Sequence, residues 1–83
     1  MYKIFLLPQA QKDLGNFRSK VFRQLEDRIS SLKIDPRPPG SLKLTAEEGY
    51  RLRSGNYRVV YRVDDKEKIV YIYRVKHRKE VYK

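Results

Sequence analysis

Apolar and polar residues alternate over two neighbouring stretches, Tyr50-Arg51-Leu52-Arg53-Ser54 and Tyr57-Arg58-Val59-Val60-Tyr61-Arg62-Val63, with Gly55-Asn56 between them. A period of two is that of a strand with one buried face, and Gly-Asn tolerates the positive φ of a primed two-residue turn, so the segment predicts a β-hairpin. The turn fixes the register: Ser54 faces Tyr57, Arg53 faces Arg58, Leu52 faces Val59, Arg51 faces Val60 and Tyr50 faces Tyr61. Tyr50, Leu52, Tyr57, Val59, Tyr61 and Val63 then share a core face, and Arg51, Arg53, Arg58 and Arg62 share a cationic one. Setting two arginines directly opposite each other costs roughly a few tenths of a kcal/mol, which suggests that an anion belongs there.

The flanking segments supply a scaffold. Tyr2 to Leu7 is a short apolar run that predicts a buried strand, and Pro8 suits the first turn of a helix over Pro8 to Leu14, stopped by Gly15-Asn16. A second helix is expected from Ser19 as N-cap, with Val21, Phe22, Leu25, Ile29 and Leu32 forming one apolar stripe, ending before Pro36. The two make a helical hairpin whose stripes need a sheet to cover. Pro36-Arg37-Pro38-Pro39-Gly40 reads equally as a rigid linker and as part of a functional loop. Ser41 to Leu44 can extend along the domain and bring Lys43 near the cationic face. After a polar turn at Asp64 to Glu67, Lys68 to Val75 predicts a last strand, with either Ile69, Tyr71, Tyr73 and Val75 or Val70 and Ile72 facing inward. If Arg74 shares the cationic face, the tyrosine set is core. The expected fold is α+β: an N-terminal strand, a helical hairpin, then an antiparallel three-stranded meander, giving a sheet of about four strands on two helices in one domain over residues 1–83.

Charge sharpens this picture. The 83 residues hold 20 Lys and Arg against 10 Asp and Glu, a net charge of +10, and no acidic residue lies between Arg51 and Arg62. So strong a field favours a polyanionic partner such as RNA, DNA, a ribosome, an anionic membrane or an acidic protein. The chain has no cysteine, which rules out disulfides and thiolate metal sites and fits a reducing cytoplasm. No stretch has the length and apolarity of a signal peptide or a membrane span, and the sequence shows no glycine-rich phosphate loop, metal-ligand cluster or internal repeat.

The succession of strand, helical hairpin, basic loop with Lys43-Leu44, the hairpin Arg-Leu-Arg-Ser-Gly-Asn-Tyr-Arg-Val-Val-Tyr-Arg, a final strand, and Lys-His-Arg-Lys-Glu-Val-Tyr resembles the RelE/ParE superfamily of bacterial and archaeal toxins, the RelE branch more closely. The resemblance covers nearly the whole chain. It implies a type II toxin that enters the ribosomal A site, cleaves mRNA there without a cofactor, and is held as a monomer in complex with an acidic RelB-like antitoxin in the cytoplasm. Cleavage would proceed by attack of the 2′-hydroxyl on the adjacent phosphate, which requires a proton acceptor, a proton donor and cations for the pentavalent state. By resemblance, Arg58 and Arg78 match the family's phosphate-binding arginines, and Tyr82 its C-terminal tyrosine. Arg51 falls where the best-known RelE branch has the second of two lysines, and Gly49 where it has the first. Arginine holds its proton too firmly to replace a lysine in proton transfer, so His77, which titrates nearest neutrality, joins Arg51, Arg58, Arg78 and Tyr82 as a catalytic candidate. Lys43, Arg53, Arg62 and Lys79 are candidate RNA contacts. Two other readings use the same features: a ParE-like toxin acting on DNA gyrase, and a non-catalytic RNA-binding module.

Overall fold

The computed structural model describes residues 1–45 and 48–77. Its elements are β1 (Lys3–Leu6), α1 (Pro8–Gly15), α2 (Ser19–Ser31), β2 (Ser41–Lys43), β3 (Tyr50–Ser54), β4 (Tyr57–Asp64) and β5 (Ile69–His77). The strands form one mixed sheet in the order β1-β5-β4-β3-β2, with β1 parallel to β5 and the other pairs antiparallel. The expected architecture holds, with one short strand added. Ser41 to Lys43 pairs with Leu52 to Tyr50 and lengthens the sheet to five strands. That pairing had no alternating signal in the sequence, because three residues are too few to show a period.

Both helices cover the same face. Ala10 and Leu14 of α1, Leu25 and Ile29 of α2, and Leu32 just beyond it pack on Leu52, Val59, Tyr61, Val70, Ile72 and Val75. The stripe read from α2 is therefore the buried one, with Val21 and Phe22 half-buried at its start. Ser19 is the first helical residue rather than the cap: Arg18 holds the extended N-cap conformation and no side chain caps the helix. The Pro36 to Gly40 segment is pinned to the sheet. The buried Tyr61 hydroxyl donates to the Pro36 carbonyl at 2.7 Å, and Arg37 donates to Tyr50 Oη at 2.9 Å and pairs with Asp65 at 2.7 Å. Burial pushes the pKa of Tyr61 up to about 12, so the phenol stays protonated and keeps that bond.

The hairpin register is the expected one at all five positions, from Ser54 against Tyr57 to Tyr50 against Tyr61. Gly55 takes φ +60 while Asn56 does not take a positive φ, the pattern of a type II′ turn. On the core face Leu52, Val59 and Tyr61 are fully buried and Tyr50, Tyr57 and Val63 pack at the margin.

The last strand turns the second of the two expected sets, Val70 and Ile72, inward, and adds Val75 from the first. Val70 and Ile72 face the helices, but the β4–β5 register slips between Val60 and Tyr61, so that Val60 pairs with Arg74 and Tyr61 with Ile72. Tyr73 is the extra residue of this bulge, and beyond it the inward position passes to Val75. Arg74 is on the cationic face, as the conditional reading supposed, yet the tyrosines are not core. The bulge lies where β1 has ended, and Asp13 of α1 fills the gap. Its carboxylate accepts the Val75 N–H at 2.8 Å and both Nε and Nη2 of Arg74, at 2.8 and 3.3 Å. Burial acts to raise the Asp13 pKa, but the bonds from Arg74, Val75 and Gln9 outweigh it and hold the carboxyl below its usual value.

Because its pKa is depressed on folding, Asp13 contributes stability that is fully present above the unfolded value of 3.8 and is lost as pH falls through the folded value. Asp13→Asn should therefore cost about 1.5–3 kcal/mol at neutral pH, a range set by hydrogen bonds to a charged group. The cost should shrink toward zero as pH falls below the folded value, where the parent carboxyl is also neutral. Thermal melts of both proteins across this range check it; a penalty that stays constant down to acid pH would show that the charge of Asp13 is not what matters.

Candidate functional site

The face of the sheet away from the helices carries the cationic residues in cross-strand rows. One row is Arg53 of β3, Arg58 of β4 and Lys76 of β5, joined by the pairs Arg53 to Arg58 and Arg58 to Lys76. The next, two residues along each strand, is Arg51, Val60 and Arg74, with Leu42 of β2 at its edge. Side chains directly opposite each other project from the same face, so the alternation of β3 and β4 together with the bulge in β5 assembles five cations from three strands here.

Arg58 lies at the middle of the first row and is buried, at 7% exposure, despite projecting away from the apolar core. Its Nη1 donates to the Tyr57 carbonyl at 3.1 Å. Among the described residues, no carboxylate lies within ion-pair distance of Arg51, Arg53, Arg58 or Lys76. A guanidinium withdrawn from water without a counter-charge is costly and gains most from an incoming anion. Its planar fork matches two oxygens of a phosphate. A depression beside the rows is lined by Glu48, Val60, Tyr73, Arg74 and Lys76.

The remaining candidates fall in three places. Arg62 sits one row beyond Arg51, its Cζ 4.9 Å over the ring of Tyr71. Lys43 pairs with Tyr50, which sets it on the opposite side of the sheet from Arg51, although at the sheet edge it lines a shallow depression with Arg37, Glu48 and Arg62. His77 pairs with Tyr57 and meets its ring edge-on at 5.2 Å, and Tyr57 in turn packs on Phe17 at 4.8 Å. The imidazole is thus on the helix side of β5, whereas Arg58 faces the other way. Arg78, Lys79 and Tyr82 lie outside the described residues.

One site residue escaped the sequence reading, and another acquires its physical reason here. Lys76 stands in register with Arg58, and a lysine can give up a proton where an arginine cannot. In the sequence it is one of several cations in a basic tail, and only the bulge at Tyr73 aligns it with the row. Gly49 explains a departure from the RelE pattern. It is buried with φ +127, and a Cβ there would stand 2.6 Å from the Tyr61 carbonyl oxygen. Neither the conformation nor the space admits a lysine.

With this geometry in view, the comparisons with known proteins agree with one another. The model of the ParE toxin of the type II toxin–antitoxin system parDE matches residues 4–82. The toxin RelG of Mycobacterium tuberculosis is 29% identical over 84 residues, covering 99% of this chain and 97% of that protein. Among solved structures, the isolated Escherichia coli RelE toxin superposes with a TM-score of 0.81 at 28% identity, covering 99% of this chain and 92% of that one. The toxin–antitoxin complex RelBE2 of M. tuberculosis gives 0.83 at 26% identity over 92% of this chain and 96% of its match. The chain belongs to the ParE toxin family within the RelE/ParE superfamily, and is a toxin of a type II toxin–antitoxin system with a RelE-like fold.

Proposed function

We propose that the protein is a ribosome-dependent mRNA endonuclease and that the Arg53–Arg58–Lys76 row holds the scissile phosphate. The observation that carries this reading is Arg58, buried to 7% exposure, unpaired with any carboxylate among the described residues, and flanked across the strands by two further cations. In the reaction the 2′-oxygen forms a bond to phosphorus as the bond from phosphorus to the 5′-oxygen breaks. The products are a 2′,3′-cyclic phosphate and a 5′-hydroxyl. Negative charge grows on the phosphoryl oxygens in the transition state, and preorganised guanidinium donors in a site shielded from water stabilise it. Arg58 supplies the fixed fork, and Arg53 and Lys76 the flanking charge. The proton leaving the 2′-hydroxyl and the one reaching the 5′-oxygen need groups that titrate, roles open to Lys76 on this face and, by the resemblance, to Tyr82; His77 lies on the opposite face of the sheet from Arg58 and is not placed for either. Arg51 and Arg62 extend the cationic surface along the message, and Lys43 lies at the sheet edge; Arg78 and Lys79 are candidate contacts by resemblance and lie outside the described residues.

The second part of the proposal is the partner. The structures of RelE from E. coli and Pyrococcus horikoshii were determined in complexes with RelB, and this chain offers a surface for such an antitoxin. Ile4 and Leu6 of β1, Leu14 of α1, and Phe22 and Ile29 of α2 line an open apolar groove at the free edge of the sheet. A groove of that composition suits the apolar stripe of an amphipathic helix, and the net charge of +10 suits an acidic chain continuing from it.

Both parts are testable. Purified toxin added to programmed ribosomes should yield mRNA fragments ending in a cyclic phosphate. A 2′-deoxy nucleotide at the cut position should abolish that product, and Arg58→Ala should lower its rate by about 100- to 1,000-fold, the usual effect of removing one transition-state donor. Intact mRNA together with inhibited DNA supercoiling would transfer the protein to the gyrase-directed reading. For the partner, Phe22→Glu should weaken the cognate antitoxin by about 30-fold or more, the scale of an interface hot spot, while leaving cleavage by free toxin in place; unchanged affinity by calorimetry would put the antitoxin elsewhere.

A further inference from the structure

The outer face of the sheet carries a second cluster that the cleavage chemistry does not use. Phe5 of β1 pairs with Tyr71 of β5, and Tyr71 with Arg62 of β4, so the three side chains form one row across the sheet. The Phe5 and Tyr71 rings are 5.9 Å apart at 56°, and the Arg62 guanidinium carbon lies 4.9 Å over the Tyr71 ring. Phe5 is 53% exposed and also borders the apolar groove, and Arg62 hydrogen-bonds the Tyr73 side chain while its Nε is buried with no hydrogen-bond partner among the described residues. A cross-strand aromatic pair stabilises a sheet by itself. That role requires neither an arginine laid over one ring nor a phenylalanine left half in water.

The position of the row is as informative as its composition. It lies on the same face as Arg58, four residues along β4, which is about 13 Å. The intervening row contributes Arg51 and Arg74, the latter paired with Asp13, so Arg51 is the cation that links the two sites, with Glu48 beside the row. Beyond Arg62 the next residue of β4 on this face is Asp64, whose carboxylate accepts the Glu67 N–H, and the cationic track ends there. Aromatic rings and guanidinium planes together are the surface on which unpaired bases stack, and such stacking tolerates any base because each has a π-face.

We propose that the Phe5–Tyr71–Arg62 row is a stacking site for an unpaired base of the message, a nucleotide or two to one side of the scissile phosphate. This extends the reading that the Arg58 row holds that phosphate. Arg62 has two functions in the site: its plane continues the stack begun by Tyr71, and its charge meets the phosphate joining the stacked base to the cleaved one. A message held at two points has its sugar–phosphate torsions restricted between them, which favours the in-line geometry that 2′-hydroxyl attack requires.

Photocrosslinking on programmed ribosomes tests the site. The probe is an mRNA with 2′-O-methyl at the scissile nucleotide, which blocks cleavage, and 4-thiouridine at one position at a time on either side. The expected result is a crosslink to Phe5 or Tyr71 from a position on one side only. Tyr71→Val, which does not line the antitoxin groove, and Arg62→Lys, which keeps the charge and loses the plane, should each lower this crosslink and reduce binding to the programmed ribosome by about five- to tenfold. Arg62→Lys guards against a Tyr71→Val protein that folds poorly, and thermal melts report on both. Crosslinks confined to the Arg53–Arg58–Lys76 row, with both variants binding like the parent, overturn the stacking site and leave the cleavage proposal standing. No crosslink to any residue of the outer face removes both proposals. Variants that bind the programmed ribosome like the parent and lose only antitoxin affinity would give the surface to a different occupant and likewise overturn the inference.

Discussion

The arrangement of the outer face depends on a carboxylate on the opposite side of the sheet. β1 stops at Leu6, so from Val75 onward β5 has no strand on that flank, and Asp13 takes the place of the missing carbonyl by accepting the Val75 N–H. This bond stabilises a backbone that has just bulged at Tyr73. The bulge decides the sidedness of everything after it. If the alternation set by Val70 and Ile72 ran on unbroken, Arg74 and Lys76 would point at the helices and Val75 at solvent. One extra residue reverses this: Val75 fills the core, Arg74 joins Val60 and Lys76 joins Arg58. Asp13 also grips the Arg74 guanidinium, so one side chain ties α1 both to the bulged backbone and to the cation next to it.

The parts of the fold that were legible in the sequence are those fixed by a local period. The β3–β4 hairpin announces its turn through Gly55-Asn56 and its faces through an alternation interrupted only at Val60, and every pair followed from counting outward. The stripe of α2 was equally plain, since Leu25, Ile29 and Leu32 fall at helical spacing and are all buried. The last strand resisted for a physical reason: a bulge superimposes two alternations of opposite phase, so Val70, Ile72 and Val75 never read as one face. β2 was hidden because its pairing with β3 is a long-range event in a stretch too short to show a pattern. The candidate site divided along the same line. Arg51, Arg53 and Arg58 were legible because one hairpin contains them, whereas Lys76 and Arg74 reach their row only through the slipped register. The placement of His77 beside Tyr57 follows from that slip as well.

Gly49 shows how a neighbouring strand can govern the chemistry available to a site. Its φ of +127 and the 2.6 Å approach of the Tyr61 carbonyl leave room for a hydrogen and nothing larger. Tyr61 is itself fixed, fully buried and bonded through its hydroxyl to Pro36. The glycine at this point of the resemblance is thus part of how β3 meets β4. A lysine on this face has to come from another element, and β5 sets Lys76 opposite Arg58 by way of the bulge.

The described carboxylates that form ion pairs are both structural: Asp13 with Arg74 at the end of β5, and Asp65 with Arg37, which fastens the proline-rich segment to the sheet. Neither partner belongs to the Arg53–Arg58–Lys76 row. Among the described residues, acidic side chains therefore neutralise cations where rigidity is required and leave the row without counter-charge. The consequence is an unfavourable concentration of like charge held in place by the sheet, most acute at the buried Arg58. An anionic ligand relieves that repulsion on binding, so part of its affinity is already stored in the fold as repulsion among the arginines and lysine. The same reasoning applies to a phosphate of a message and to the acidic residues of an antitoxin. Occupation of one row by either would make them competitors, with no change of shape needed for one to exclude the other.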